Sequence, residues 1–188
     1  FDQPILPTRG SALQFSVEQA GVLTDDWNFT RLRGAGIVYV PIRDDFLGRA
    51  TVANLSTRVG YIPGAVGDVP IFERFNTGGA RFRGFGVRGI GPVGVRNDTG
   101  LPGDDQVGGT WEVFFGAEIQ QPVFNDNFRF VLFTDMGTIT NSPGFDHRRI
   151  TAGFGLRLTV PALTPVPLAF DFGCPILKEP TDDTRFFT

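Results

Sequence analysis

Cysteine is almost absent. Cys174 stands alone, so the chain can form neither an internal disulfide nor a thiolate-based metal site. Histidine is equally scarce, and His147, beside Arg148 and Arg149 in a turn-rich stretch, is expected to be a solvated side chain rather than part of a Ser-His-Asp arrangement. No segment approaches the roughly 18 apolar residues that a membrane-spanning helix needs. An excess of one charge sign is missing too: the net charge is −3 with acids and bases interspersed, which argues against a nucleic-acid surface. Phe1, Asp2, Gln3 and Pro4 supply neither the basic start nor the apolar core of a secretory signal. For an exported chain this sets the expectation of a natural N-terminus further upstream.

What is abundant is glycine (25), phenylalanine (20) and proline (14). That mixture favours strands and turns, because Phe suits a pleated surface and Gly breaks helices. Trp111, Val113, Phe115, Ala117 and Ile119 alternate with Glu112, Phe114, Gly116, Glu118 and Gln120. Ile150, Ala152, Phe154, Leu156, Leu158 and Val160 alternate with Arg149, Thr151, Gly153, Gly155, Arg157 and Thr159. Phe128–Phe133 and Leu168–Gly173 repeat the pattern, and weaker versions run over Ser11–Leu23, Phe29–Ile42 and Arg49–Ile62, with a last strand beginning near Arg185. Successive side chains on a strand point to opposite faces, so this is period-two β structure with about eight strands.

A soluble β-sandwich would show the same alternation with its apolar face turned inward. Two features favour a membrane barrel instead. The polar faces are dense in Gly, Arg and Glu, which suits a wet lumen, and the strands are nearer a bilayer crossing than the usual ~5–6 residues. The connections at Pro41–Gly48, Gln121–Asn127 and Pro161–Pro167 are short and alternate with longer ones at Thr24–Asn28, Thr140–His147 and Lys178–Thr184. One exceeds the rest, running roughly over residues 63–109, and a loop that long inside a compact domain is usually functional or disordered. It contains Gly84, Gly86 and Gly89 in G-x-G-x-x-G spacing, but no strand-then-helix context accompanies them, so a dinucleotide site is rejected. Asp104, Asp105, Asp182 and Asp183 are expected to be solvated loop charges rather than metal ligands, and Cys174 a small apolar filler on the lipid-facing side.

Within the long loop, Arg83, Gly84 and Phe85 follow Glu73–Phe82 and precede Gly89–Pro92; Phe133, Asp135 and Gly137 form Phe-x-Asp-x-Gly further along. These paired motifs, with Glu118 between them and Pro7–Ser11 followed by Phe15–Gly21 at the start, resemble the BamA/TamA-type outer-membrane insertase superfamily (the outer membrane protein 85 superfamily) over essentially the whole chain. The resemblance implies a loop whose Arg-Gly-Phe tip folds back into the barrel, locked by Arg83, Gly84, Phe85, Glu118, Phe133, Asp135 and Gly137. Strand parity independently puts Phe133, Asp135, Gly137 and Glu118 on the luminal face. A guanidinium in a partly desolvated lumen needs carboxylate partners that its planar fork can engage. The alternative is a solvated loop arginine.

Eight strands closed alone leave an interior just wide enough for side chains, with no room for such a loop. Residues 1–188 are therefore expected to be the C-terminal half of an all-β, antiparallel transmembrane barrel of about sixteen strands, completed by an N-terminal half or a second copy. The family resemblance further implies preceding POTRA domains, accessory lipoproteins, client outer-membrane proteins and outer-membrane lipid as partners. The implied place is the outer membrane of a Gram-negative-type bacterium or a derived organelle. No cofactor, metal or nucleic acid is expected. The implied activity is insertion or translocation of proteins by strand templating, without chemical catalysis. A polypeptide-secreting transporter of the two-partner type and a passive pore or structural barrel are the alternatives.

Overall fold

The computed structural model describes residues 1–2, 6–21, 27–44, 48–123, 127–160 and 164–188. In chain order its strands are β1 (Gly10–Gln19), β2 (Thr30–Asp44), β3 (Ala50–Tyr61), β4 (Val93–Val95), β5 (Pro102–Gln106), β6 (Trp111–Pro122), β7 (Phe128–Thr140), β8 (Arg149–Val160) and β9 (Thr164–Leu177). Seven of them form a single sheet in the order β1-β2-β3-β6-β7-β8-β9, each antiparallel to its neighbour, while β4 and β5 pair inside the long connection. The expected tight bends include residues 45–47, 124–126 and 161–163, the longer connection Thr24–Asn28 includes 24–26, and the expected first strand Ser11–Leu23 includes 22–23; these parts lie outside the described residues.

In place of the strand expected near Arg185, the last residues make only isolated backbone pairing with β9. Asp171 and Gly173 of β9 donate their N–H groups to the carbonyls of Thr188 and Phe186 at 2.9 and 2.8 Å, and Thr188 N–H returns a bond to Asp171. Among the described residues the sheet is open, with β1 paired on one side only. Strand β9 also starts earlier than the sequence pattern suggested, at Thr164 rather than Leu168, despite Pro165 and Pro167. A proline is tolerated where its missing N–H points off the ladder. Pro165 and Pro167 fall where the pairing with β8 slips out of register between Leu168 and Thr164, so the ladder does not call on their missing N–H groups.

Side-chain alternation separates two faces. Leu55, Phe115, Ile119, Leu132 and Phe154 are exposed on the outer face, whereas Phe133 and Asp135 are buried on the inner one. Val113 shares the outer parity but is covered. Its cross-strand partner Thr138 is capped by the 146–147 turn, with Thr138 Oγ1 donating to the Asp146 carbonyl at 2.8 Å. Spin labels at Phe115, Ile119, Leu132 and Phe154 are accordingly expected to be reached by lipid-phase quenchers, and labels at Gly116, Glu118 and Arg157 to be shielded. Equal quenching of both sets would remove the two-face assignment.

The apolar core lies where the long connection meets the inner face. Phe82, Phe85 and Ile90 from the connection cluster with Phe114 of β6, and Phe75 and Val69 cluster with Phe29, Ile62 and Ile139. Phe82 packs edge-on against both Phe85 and Phe114, at centroid distances of 5.2 and 5.4 Å. Each such buried ring contributes about 1.5–3 kcal/mol, which the connection could not recover if it projected into water.

Candidate functional site

The tip of the connection is built on two short backbone devices. A 3-10 turn at Gly79–Arg81 reverses the chain, with Phe82 N–H bonding to the Gly79 carbonyl. Gly84 then adopts φ of +91°, a left-handed conformation that side chains with a Cβ resist. Between these turns Arg83 is directed onto the sheet. Arg58 of β3 braces the turn from the side, stacking 4.0 Å over Phe114 and donating Nη2 to the Arg81 carbonyl at 2.8 Å.

Arg83 meets Asp135 of β7 through a two-pronged fork: Nε to Oδ2 at 2.9 Å and Nη2 to Oδ1 at 2.8 Å. Its backbone N–H also donates to Oδ2 at 3.1 Å, so Asp135 holds main chain and side chain together. Nη1 donates to Glu118 Oε2 of β6 at 2.5 Å, and the guanidinium carbon sits 3.5 Å from the Phe133 ring centroid. The side chains of Arg83, Glu118 and Asp135 are 10, 11 and 1% exposed, so these are desolvated interactions in which each charge requires its partner. Burial works against the Arg83 charge, but hydrogen bonds and attraction from Asp135 and Glu118 outweigh it, and the guanidinium is held even more firmly protonated than usual.

Of the residues singled out from sequence, Arg83, Glu118, Phe133 and Asp135 meet in one cluster. Gly84 and Gly137 form its floor. A Cβ on Gly84 would come within 2.7 Å of Thr151 Cγ2, and one on Gly137 within 2.5 Å of the Val113 carbonyl and 3.2 Å of the Phe82 ring. Phe85 is fully buried beside them.

Two members of the network were not singled out from the sequence. Arg157 of β8 donates to Asp171 Oδ1 of β9 at 2.7 Å and to Glu118 Oε2 at 3.3 Å, and Asp171 Oδ2 lies 4.0 Å from Arg83 Nη1. Both share the luminal parity, which was the available signal; which luminal charges converge depends on cross-strand register. Two arginines face three carboxylates: Arg83 on the connection, and Glu118, Asp135, Arg157 and Asp171 one each on β6, β7, β8 and β9, so the tip is bonded to β6 and β7 and linked through Glu118 and Asp171 to Arg157 of β8.

The other sequence-level readings divide. His147 is mostly exposed, with Nδ1 3.2 Å from Glu179 Oε1, and Asp104 is exposed and paired with Arg96. Cys174 is exposed on the outer face. Asp182 departs from expectation: its side chain is fully buried and forked to Arg149. A charge in a polar loop reads as solvated until the tertiary fold lays that loop against a cation. Among the described residues no group of three or more His, Cys, Asp or Glu side chains is arranged to hold a metal ion.

Comparison with known proteins extends this picture. A model described as the Omp85 superfamily domain matches residues 1–188. The crystal structure of BamA from Haemophilus ducreyi lacking POTRA domains 1–3 is similar in fold, with a TM-score of 0.83 at 24% identity, covering 99% of this chain and 38% of that one. This chain therefore spans under half the length of that structure. Among curated proteins, none matches.

Proposed function

The chain belongs to the Omp85 superfamily, a family of outer-membrane β-barrel proteins, and from that premise we propose that residues 1–188 form the C-terminal half of a barrel that inserts or translocates proteins at the outer membrane. The observation that carries the proposal is the Arg83 fork to Asp135 and Glu118 within an open antiparallel sheet. On this reading the residue 63–109 connection folds into the lumen, and Arg83, Gly84, Phe85, Glu118, Phe133, Asp135 and Gly137 lock it there. No bond is made or broken in a client. An edge strand of the completed ring presents unpaired N–H and C=O groups, and an incoming strand adds to them by β-augmentation.

The partners that follow are outer-membrane lipid, unfolded outer-membrane clients, and an N-terminal half-barrel or second copy that closes the ring; POTRA domains and accessory lipoproteins belong to the parent protein. The test is reconstitution of the parent protein in liposomes with an unfolded barrel client. The expected result is faster client folding than in empty liposomes, abolished by a disulfide across the closing strands. Conductance without any acceleration would replace the proposal with a passive pore, and release of a soluble polypeptide into the lumen would favour a secreting transporter.

Completion of the ring gives a second expectation. The connection packs on the inner face of a seven-stranded sheet, and a barrel closed from these strands alone has only side-chain room inside. The folded species is expected to contain about sixteen strands. A native mass corresponding to one closed copy of residues 1–188 would show this to be wrong.

A further inference from the structure

The lock around Arg83 leaves a second buried ion pair unexplained. Arg149, the first residue of β8, forks onto Asp182 with Nε to Oδ2 at 2.9 Å and Nη2 to Oδ1 at 2.8 Å. The two side chains are 4 and 0% exposed, more completely buried than the Arg83 pair. Further bonds hold the pair: Arg149 Nη1 donates to the His147 carbonyl at 2.6 Å, and Asp182 Oδ2 accepts the Glu179 N–H at 2.7 Å. Asp182 lies in the segment that leaves β9 after Leu177 and turns back along it.

That returning segment is laid along the tip of the connection. Asp183 N–H donates to the Gly89 carbonyl at 3.0 Å, Gly86 N–H to the Asp183 carbonyl at 2.9 Å, and Arg185 N–H to the Gly84 carbonyl at 3.0 Å. Phe85 and Thr184 form an antiparallel bridge between them. The glycine spacing that resembled a nucleotide loop has a structural purpose here. A Cβ on Gly86 would collide with the Asp183 carboxylate, and one on Gly89 would come within 2.6 Å of the Asp183 carbonyl. Further on, Phe186 and Thr188 take the free edge of β9.

We propose that Arg149 and Asp182 are positioning residues of a second lock, which straps the segment 179–188 to residues 84–89 independently of Arg83 and so sets the strand at the last edge of the sheet. The two locks divide the work. Arg83 fixes the tip to the wall, and Arg149 fixes the returning segment over the tip. A glycine platform between them admits main chain to main chain. The consequence for client strands rests on the proposed function above, because only there does the last edge take part in strand exchange. The strap itself does not depend on it.

Amide hydrogen exchange on the intact membrane-embedded protein tests the proposal. The amides of Asp183 and Arg185 are expected to be protected in the unsubstituted protein. Arg149→Gln and Asp182→Asn should each raise their exchange by roughly 10²-fold, because one buried charge is left without its partner. Arg149→Lys should recover part of the protection, since it keeps the charge but not the fork. Gly89→Ala alters no charge and leaves β8 untouched, so it reports even if the Arg149 variants fail to fold; its Cβ would press on the Asp183 carbonyl, a backbone atom that cannot swing aside, and should expose the same two amides by steric displacement. Phe82 and Arg83 amides should stay protected throughout. Unchanged protection at Asp183 and Arg185 in both Asp182→Asn and Gly89→Ala would overturn the strap, and simultaneous loss at Phe82 and Arg83 would overturn its independence. Client folding measured on the same samples separates the readings: an inactive unsubstituted protein refutes the insertase while the exchange result stands.

Discussion

Arg83→Ala is expected to free the residue 78–94 segment from the wall, at a cost of about 3–5 kcal/mol in local stability. The magnitude follows from what is left behind rather than from the bonds alone. Asp135 is 1% exposed and would retain only the backbone N–H of residue 83, while Glu118 would keep Gln120 and the longer contact from Arg157. Loss of the guanidinium also uncovers the Phe133 ring. Limited proteolysis should show new cleavage between Gly78 and Gly94. Arg83→Lys should rescue only in part, since a point charge cannot reproduce a two-pronged fork onto Asp135. Asp135→Asn should resemble Arg83→Ala, and the pair together should cost less than the sum, because both remove one interaction. Strict additivity would mean that the two residues act separately, and the lock would have to be abandoned.

Gly84→Val should have an effect of comparable size by a different route. At φ of +91° a β-branched residue is strained, typically by about 1–3 kcal/mol. The new Cβ would also press on Thr151 Cγ2 at 2.7 Å, with the β9 backbone at Gly173 behind it at 3.4 Å. Neither neighbour is a flexible side-chain end that can swing aside. Phe85 follows directly and would be lifted from its fully buried position among Phe82, Ile90 and Phe114. Trimming the floor with Thr151→Ala should restore part of the loss by removing Cγ2, but not the backbone strain. Complete rescue, measured by protease resistance of the tip, would show that conformation at residue 84 contributes nothing.

Much of the fold was legible because period-two alternation is local. Trp111–Gln120 and Arg149–Val160 fall within a residue or two of β6 and β8, since each strand has one wet and one apolar face. Legibility failed where a local rule is suspended by a neighbour. The prolines near the start of β9 read as a connection, because only the pairing shows which N–H groups the ladder does not need. Val113 read as lipid-exposed, because alternation cannot foresee a turn folding over Thr138.

The same division holds at the site. Composition and alternation determined an all-β chain with two chemically distinct faces; the family resemblance of its motifs named Arg83, Glu118 and Asp135, and parity put the two acids on one face because it is fixed by the strand itself. Only the tertiary structure decided that Arg157 and Asp171 complete that network, since it is register that places residues from four strands around one point. It alone decided that Asp182, in a polar tail that reads as solvated, is buried against Arg149 thirty-three positions away. A buried charge is defined by what surrounds it in space, and no pattern local to the chain encodes those surroundings.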